Sequence, residues 1–149
     1  MSSPIEQIRS HLQSANEPFN GFARTADFRD FGRRLDLDLP LDVRDAYSIM
    51  NGFEGYTTLD MGWLRLWPLV EWRPVNEEFP DLYPQLQRPW VMFADQGLNA
   101  LFYAIHLSTE KAVGHVCLIG EETTTVAESF SEFLKLIITD SDRLFGGAI

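Results

Sequence analysis

The chain has 149 residues, 45% hydrophobic and 13% aromatic, with 12 Lys and Arg against 22 Asp and Glu for a formal charge of −10. That size suits one domain whose core buries roughly 68–70% of the unfolded surface, and the aromatic content excludes a disordered polyanion. Residues 1–50 hold six basic and eight acidic side chains and residues 51–149 hold six and fourteen, so the acidic excess follows Gly52; such a surface repels nucleic acid, and it either attracts a basic protein or serves only to keep the chain in solution.

The single cysteine, Cys117, excludes an internal disulfide and fits a reducing compartment. The first 20 residues hold no apolar run and the chain holds no 18-residue apolar segment, so neither a secretion signal nor a membrane span is expected. The expected location is the cytoplasm.

Ile5, Ile8 and Leu12 recur at helical spacing behind Ser2-Ser3-Pro4, which predicts a short N-terminal helix. Residues 13–38 read as a loop and then a helix near Ala26–Arg34, with the turn signal Asn20-Gly21 between them. Leu39-Pro40-Leu41-Asp42 opens a further helix, because proline suits a first helical turn. Val43, Ala46, Tyr47 and Met50 form its apolar stripe, and Asn51-Gly52 ends it. Tyr56–Leu59 and Trp63–Trp67 predict a hairpin around Asp60-Met61-Gly62. Val70–Phe79 reads as a short helix, and Pro80, Pro84 and Pro89 make the next stretch a tethered loop.

Trp90–Ala94, Ala100–Leu107 and Val113–Ile119 are strands, with Asp95-Gln96-Gly97 as the first turn between them. Both faces of the middle strand are apolar, so it is expected to be central and covered on both sides. Thr123–Val126 adds an edge strand. Ser129-Phe130-Ser131-Glu132 is a capping box, and Phe130, Phe133, Leu134, Ile137 and Ile138 make a wide apolar stripe behind it. The sum is an α+β fold, a mostly antiparallel sheet of about five or six strands flanked by helices. We read residues 1–149 as one domain: 1–38 an N-terminal extension, 39–138 the core and 139–149 a loosely held tail.

Chemistry-bearing patterns are sparse. His106 and His115 fall on adjacent strands, but a metal pair needs further ligands, and only Glu110 and Cys117 are near in sequence. Cys117 sits in an apolar strand, which makes a thiol inert. No nucleophile elbow or phosphate-binding glycine loop is present. Glu77-Glu78 and Glu121-Glu122 read as solvated acids. Hence no catalytic residue, cofactor or metal is expected. The aromatics say more: Trp63, Trp67 and Trp72 fall close together, with Phe53 and Tyr56 just upstream. Most of these should be core, since tryptophan buries much area, but aromatics rimmed by acids also suit a protein interface, and the interface candidates are Phe53, Glu54, Tyr56, Asp60, Trp63, Glu77 and Glu78.

Three blocks together resemble the SUKH superfamily. They are Leu39-Pro40 through Tyr47 to Asn51-Gly52; then Leu66-Trp67-Pro68-Leu69 with Glu71 and Asn76; and then Trp90–Ala94, Ile105-His106-Leu107, Gly114-His115-Val116 and Ser129-Phe130 with Phe133-Leu134. His106 departs from the pattern, which often has an acid there, and so bears on partner choice. The resemblance implies a SUKH-like α+β fold and a non-enzymatic role. Bacterial members of this kind bind and block toxin domains, often nucleases, and fungal relatives regulate cell-wall assembly as interaction hubs. The expected function is therefore an immunity protein whose acidic surface meets a basic toxin domain; the alternative is a regulatory scaffold that binds an endogenous partner. Neither nucleic acid nor membrane is an expected partner.

Overall fold

The computed structural model describes residues 3–56, 63–81, 83, 86, 89–97, 100–107, 114–120, 123–139 and 142–145. Helices α1 (Pro4–Ser14), α2 (Thr25–Leu35) and α3 (Leu41–Tyr47) come first. Strand β1 (Leu64–Leu66), a 3-10 turn (Leu69–Glu71), β2 (Arg73–Pro74) and α4 (Val75–Glu78) follow. The chain then runs through β3 (Trp90–Gln96), β4 (Leu101–His106), β5 (Val116–Ile119), β6 (Thr123–Ala127), α5 (Phe130–Ile138) and a closing 3-10 turn (Asp142–Phe145). The strands form one antiparallel sheet in the order β1-β3-β4-β5-β6. β2 also pairs with β3, further along the edge that β1 occupies.

One sheet face carries the helices. Phe93 and Tyr103 meet Phe133 at 5.2 and 5.0 Å between ring centroids, and Phe93 meets Phe130 at 5.7 Å. α1 packs beside α5 through Ile5, Ile8 and Leu12, all buried. Trp72 joins the layers, with its ring edge-on to Phe31 of α2 and Tyr47 of α3 and tilted on Phe93. The pairing register shifts between Met92 and Ala94, so Phe93 is an extra residue in β3. The bulge turns Phe93 into the helix layer while Met92 and Asp95 both face the other way.

Local chemistry accounts for most boundaries. Ser3 and Glu6 form a reciprocal capping box at α1. At α5 the Ser129 hydroxyl caps Glu132 N–H at 3.1 Å, as the sequence predicts, but the Glu132 carboxylate reaches Glu128 N–H instead of the cap residue. α2 covers the expected helix with one extra residue at each end. β4 is central, and β6 lies at the sheet edge.

Several expectations need correction. Val70–Phe79 is not one helix: Pro74 lacks the N–H that a helix interior needs, so a 3-10 turn, a two-residue strand and a four-residue helix replace it. Asp95-Gln96 is not a turn but the end of β3, paired with Phe102 and Leu101. The second limb of the expected hairpin exists as β1, but it pairs with β3. Its first limb and turn, at residues 57–62, lie outside the described residues. In the C-terminal tail, Leu144 is buried and its carbonyl accepts the Tyr103 hydroxyl at 2.6 Å.

Gly52 has φ +77°, and a Cβ there would lie 2.7 Å from backbone atoms of Leu66, Trp67 and Pro68. A side chain would meet both strain and backbone overlap. Gly52→Ala should therefore cost about 3 kcal/mol, read as a lower urea midpoint with an unchanged slope.

Candidate functional site

Among the described residues the second sheet face carries a polar and aromatic array, with the end of the short helix α4 packed on it through Phe79 and Phe102. The array is built by register: Arg65 of β1 lies opposite Asp95 of β3, so both side chains share that face, with Trp67 two residues on. Asp95 is fully buried, yet its carboxylate is satisfied. Oδ2 accepts the Tyr56 hydroxyl at 2.5 Å and Oδ1 accepts Trp67 Nε1 at 2.6 Å. Burial, together with the bond to Asp95, pushes the Tyr56 pKa up to about 12. Beside them Arg65 grips Glu71 through two bonds of 2.8 and 2.7 Å. That fork holds the Glu71 pKa below the usual carboxylate range and raises that of Arg65.

Arg73 lies over the Trp67 ring at 4.5 Å and bonds Glu78 through Nε at 2.9 Å. From Trp67 an edge-to-face ladder runs through Phe102 and Phe79 to Tyr83, at 6.2, 5.5 and 5.6 Å. Trp63 stands at the rim, 49% exposed, with φ +62°. A bulky residue at positive φ is strained; Gly97 N–H holds its carbonyl at 3.2 Å.

The sequence-derived candidates divide. Tyr56 and Trp63 border this array, and Glu78 is part of it through Arg73. Glu54 and Glu77 are exposed. Phe53 is fully buried: its N–H donates to Leu66 C=O at 2.8 Å and it bridges Phe19, so its ring belongs to the core and not to a surface. Asp60 lies outside the described residues. Arg65, Arg73 and Asp95 carry no such signal in the sequence, because only the pairing of β1 and β2 with β3 brings them together.

Elsewhere the polar groups serve the fold. A cleft of about 240 Å³ between α1, α3 and α5 is lined by Glu6, Asp42, Asp45, Ile49 and Leu134 among others. Asp42 accepts Ser131 N–H at 3.0 Å, and Glu6 accepts Ser3 N–H at 3.1 Å, so both acids cap helices. Bonds to Ser3 lower the Glu6 pKa. Burial pushes the Cys117 thiol to about 12, so it is protonated at neutral pH. His106 and His115 meet through the backbone, N–H to C=O at 3.0 Å, and the His106 ring stands edge-on to Trp90. Among the described residues no group of three or more side chains could hold a metal ion, and no helix is long and apolar enough to cross a membrane.

This arrangement defines an α+β domain with helices on one sheet face and an aromatic, charge-paired array on the other. Residues 23–136 match the model of the SMI1 / KNR4 family (SUKH-1), and the chain belongs to that family. No curated protein matches it.

Two predictions follow from the array. Asp95→Ala removes the acceptor of a buried indole N–H and of the Tyr56 hydroxyl; unfolding should be easier by about 3 kcal/mol, and Tyr56→Phe should cost about 1 kcal/mol. Folding lowers the Glu71 pKa, so the folded state holds fewer protons there than the unfolded chain. The stabilisation is present above the ordinary value of about 4.3 and fades as pH falls through the lowered one. In this half-exposed pair it is under about 1 kcal/mol. Urea titrations between pH 5 and 3 should show Glu71→Gln losing that part of the slope.

Proposed function

We propose that this chain is an immunity-type protein that binds and blocks a toxin domain, a nuclease by preference, and performs no chemistry of its own. Membership of the SUKH-1 family carries the reading. The charge of −10, with its excess after Gly52, supports a basic partner.

The contact face we favour is the second sheet face around Tyr56, Trp63 and the Arg73–Trp67 stack. Exposed tryptophan and a stacked arginine are the residue types that concentrate binding energy. Glu54 and Glu77 lie exposed in the flanking segments and would steer a basic protein towards it. Glu71 and Glu78 are committed to Arg65 and Arg73 and contribute less to that field.

The test is co-expression and titration calorimetry with toxin domains encoded beside the gene. Protection of the cells and a stable complex are expected. Trp63→Ala should weaken the complex by about 2 kcal/mol, some thirtyfold. Glu54→Lys with Glu77→Lys should slow association most at low salt. If no neighbouring toxin domain binds and none is neutralised, the reading fails, and capture of a defined endogenous partner would then favour a regulatory scaffold.

A further inference from the structure

The helix layer is left open where α1, α3 and α5 meet. The cleft of about 240 Å³ there has an apolar floor, since Ile5, Ala46 and Leu134 line it and each is buried. Ile49, half-buried, stands at its wall. Ala46 makes the room: it lies one helical turn from Asp42 on the same face of α3, where a longer side chain would occupy the space.

The rim of this apolar groove is acidic. Glu6 and Asp42 are half-buried and Asp45 is exposed. Glu6 accepts both Ser3 donors on Oε1, and Asp42 accepts Ser131 N–H on Oδ2, so each keeps an oxygen for a further donor. Asp45 makes no hydrogen bond among the described residues. No lysine or arginine lines the cleft. Each helix start contributes roughly half a positive charge, so three starts offset only part of three carboxylates and the balance stays negative.

Size and lining choose the occupant. The cleft is smaller than the roughly 300–1,000 Å³ of sites for drug-sized ligands, which suits one side chain. Lysine and arginine match it in both parts: a methylene stem for the floor and a charged head for the rim. A bare metal ion does not match, because among the described residues these acids form no group that could hold one.

We propose that this cleft receives a lysine or arginine side chain presented by a partner protein. It lies among the helices, across the sheet from the Trp67 array, and does not rest on the toxin reading.

The probe is the end-blocked pentapeptide Gly-Gly-Lys-Gly-Gly, with norleucine and glutamate in place of lysine as controls. Methyl NMR of the full-length protein reads Ile5, Ile49 and Leu134. The lysine peptide should shift these methyls saturably, the norleucine peptide should bind about tenfold more weakly, and the glutamate peptide should not bind. Asp45→Asn leaves both caps intact, checked by an unchanged urea midpoint, and should weaken the lysine peptide about threefold; Asp45→Lys should abolish its binding. Absence of saturable shifts overturns the proposal, as does equal binding of the norleucine peptide or full retention of binding in both Asp45 variants. Binding of butylammonium without binding of the lysine peptide overturns it too, by making a free amine the occupant. So does dimerisation that shifts the same methyls without any probe, by making a second copy the occupant.

Discussion

The carbonyl of Trp67 holds the domain together. It accepts the Tyr47 hydroxyl at 2.7 Å and Trp72 Nε1 at 2.9 Å, both from buried side chains. The turn that follows is held from outside as well. Arg34 of α2 donates to Leu69 C=O at 2.8 Å and to Trp72 C=O at 2.6 Å, and the Asn51 side chain accepts Leu69 N–H at 2.9 Å. An irregular turn at the core would otherwise leave backbone groups unpaired, each costing about 1–3 kcal/mol. Here those groups are the attachment points for α2, α3 and the segment after α3. Burial pushes the Tyr47 pKa upward, so its hydroxyl keeps the proton it donates. The Leu66–Leu69 block within the family resemblance is therefore a backbone junction as much as an apolar one.

The same short stretch links core to surface. Trp67 gives its carbonyl to the helix side and its indole N–H to Asp95 on the other. Arg73 then lies on the outer side of that indole. A partner that presses on Arg73 thus presses on a ring fixed by the core, with little side-chain freedom left to lose. Such preorganisation favours tight binding more than added area does. The charges of this face are mostly matched within it, so specificity there rests on shape and aromatic contact, and the net negative field acts at longer range.

How much of this could be read beforehand depended on periodicity. α1, α3 and α5 were legible because each has one apolar stripe and a recognisable start. β3 to β6 were legible from β-prone runs between turn signals. Failures came where tertiary partners overrode local character. Asp95 looked like a turn residue because a buried aspartate is unusual, and only Tyr56 and Trp67, far away in sequence, make it tolerable. Phe53 looked exposed because it follows glycine, yet it extends the sheet edge. Arg34 showed no signal, since its acceptors are carbonyls and carry no side-chain identity. Of the candidate site, Tyr56, Trp63 and Glu78 were found by composition, while Arg65 and Arg73 had to wait for the register.

The extra residue in β3 bears on that last point. Alternation along a strand is a two-beat count, and Phe93 inserts one beat. Before it, Met92 faces away from the helices; after it, Asp95 does so as well, although the two are an odd number of residues apart. Pairing the same seven residues without the bulge would restore the count and turn everything downstream to the opposite face. Asp95 would then point among Phe93, Phe130 and Phe133, and the Trp67 indole would lose its acceptor. The bulge is thus the frame-setting element of the sheet: it lets a single seven-residue strand carry a phenylalanine core on one side and an ion-and-aromatic surface on the other.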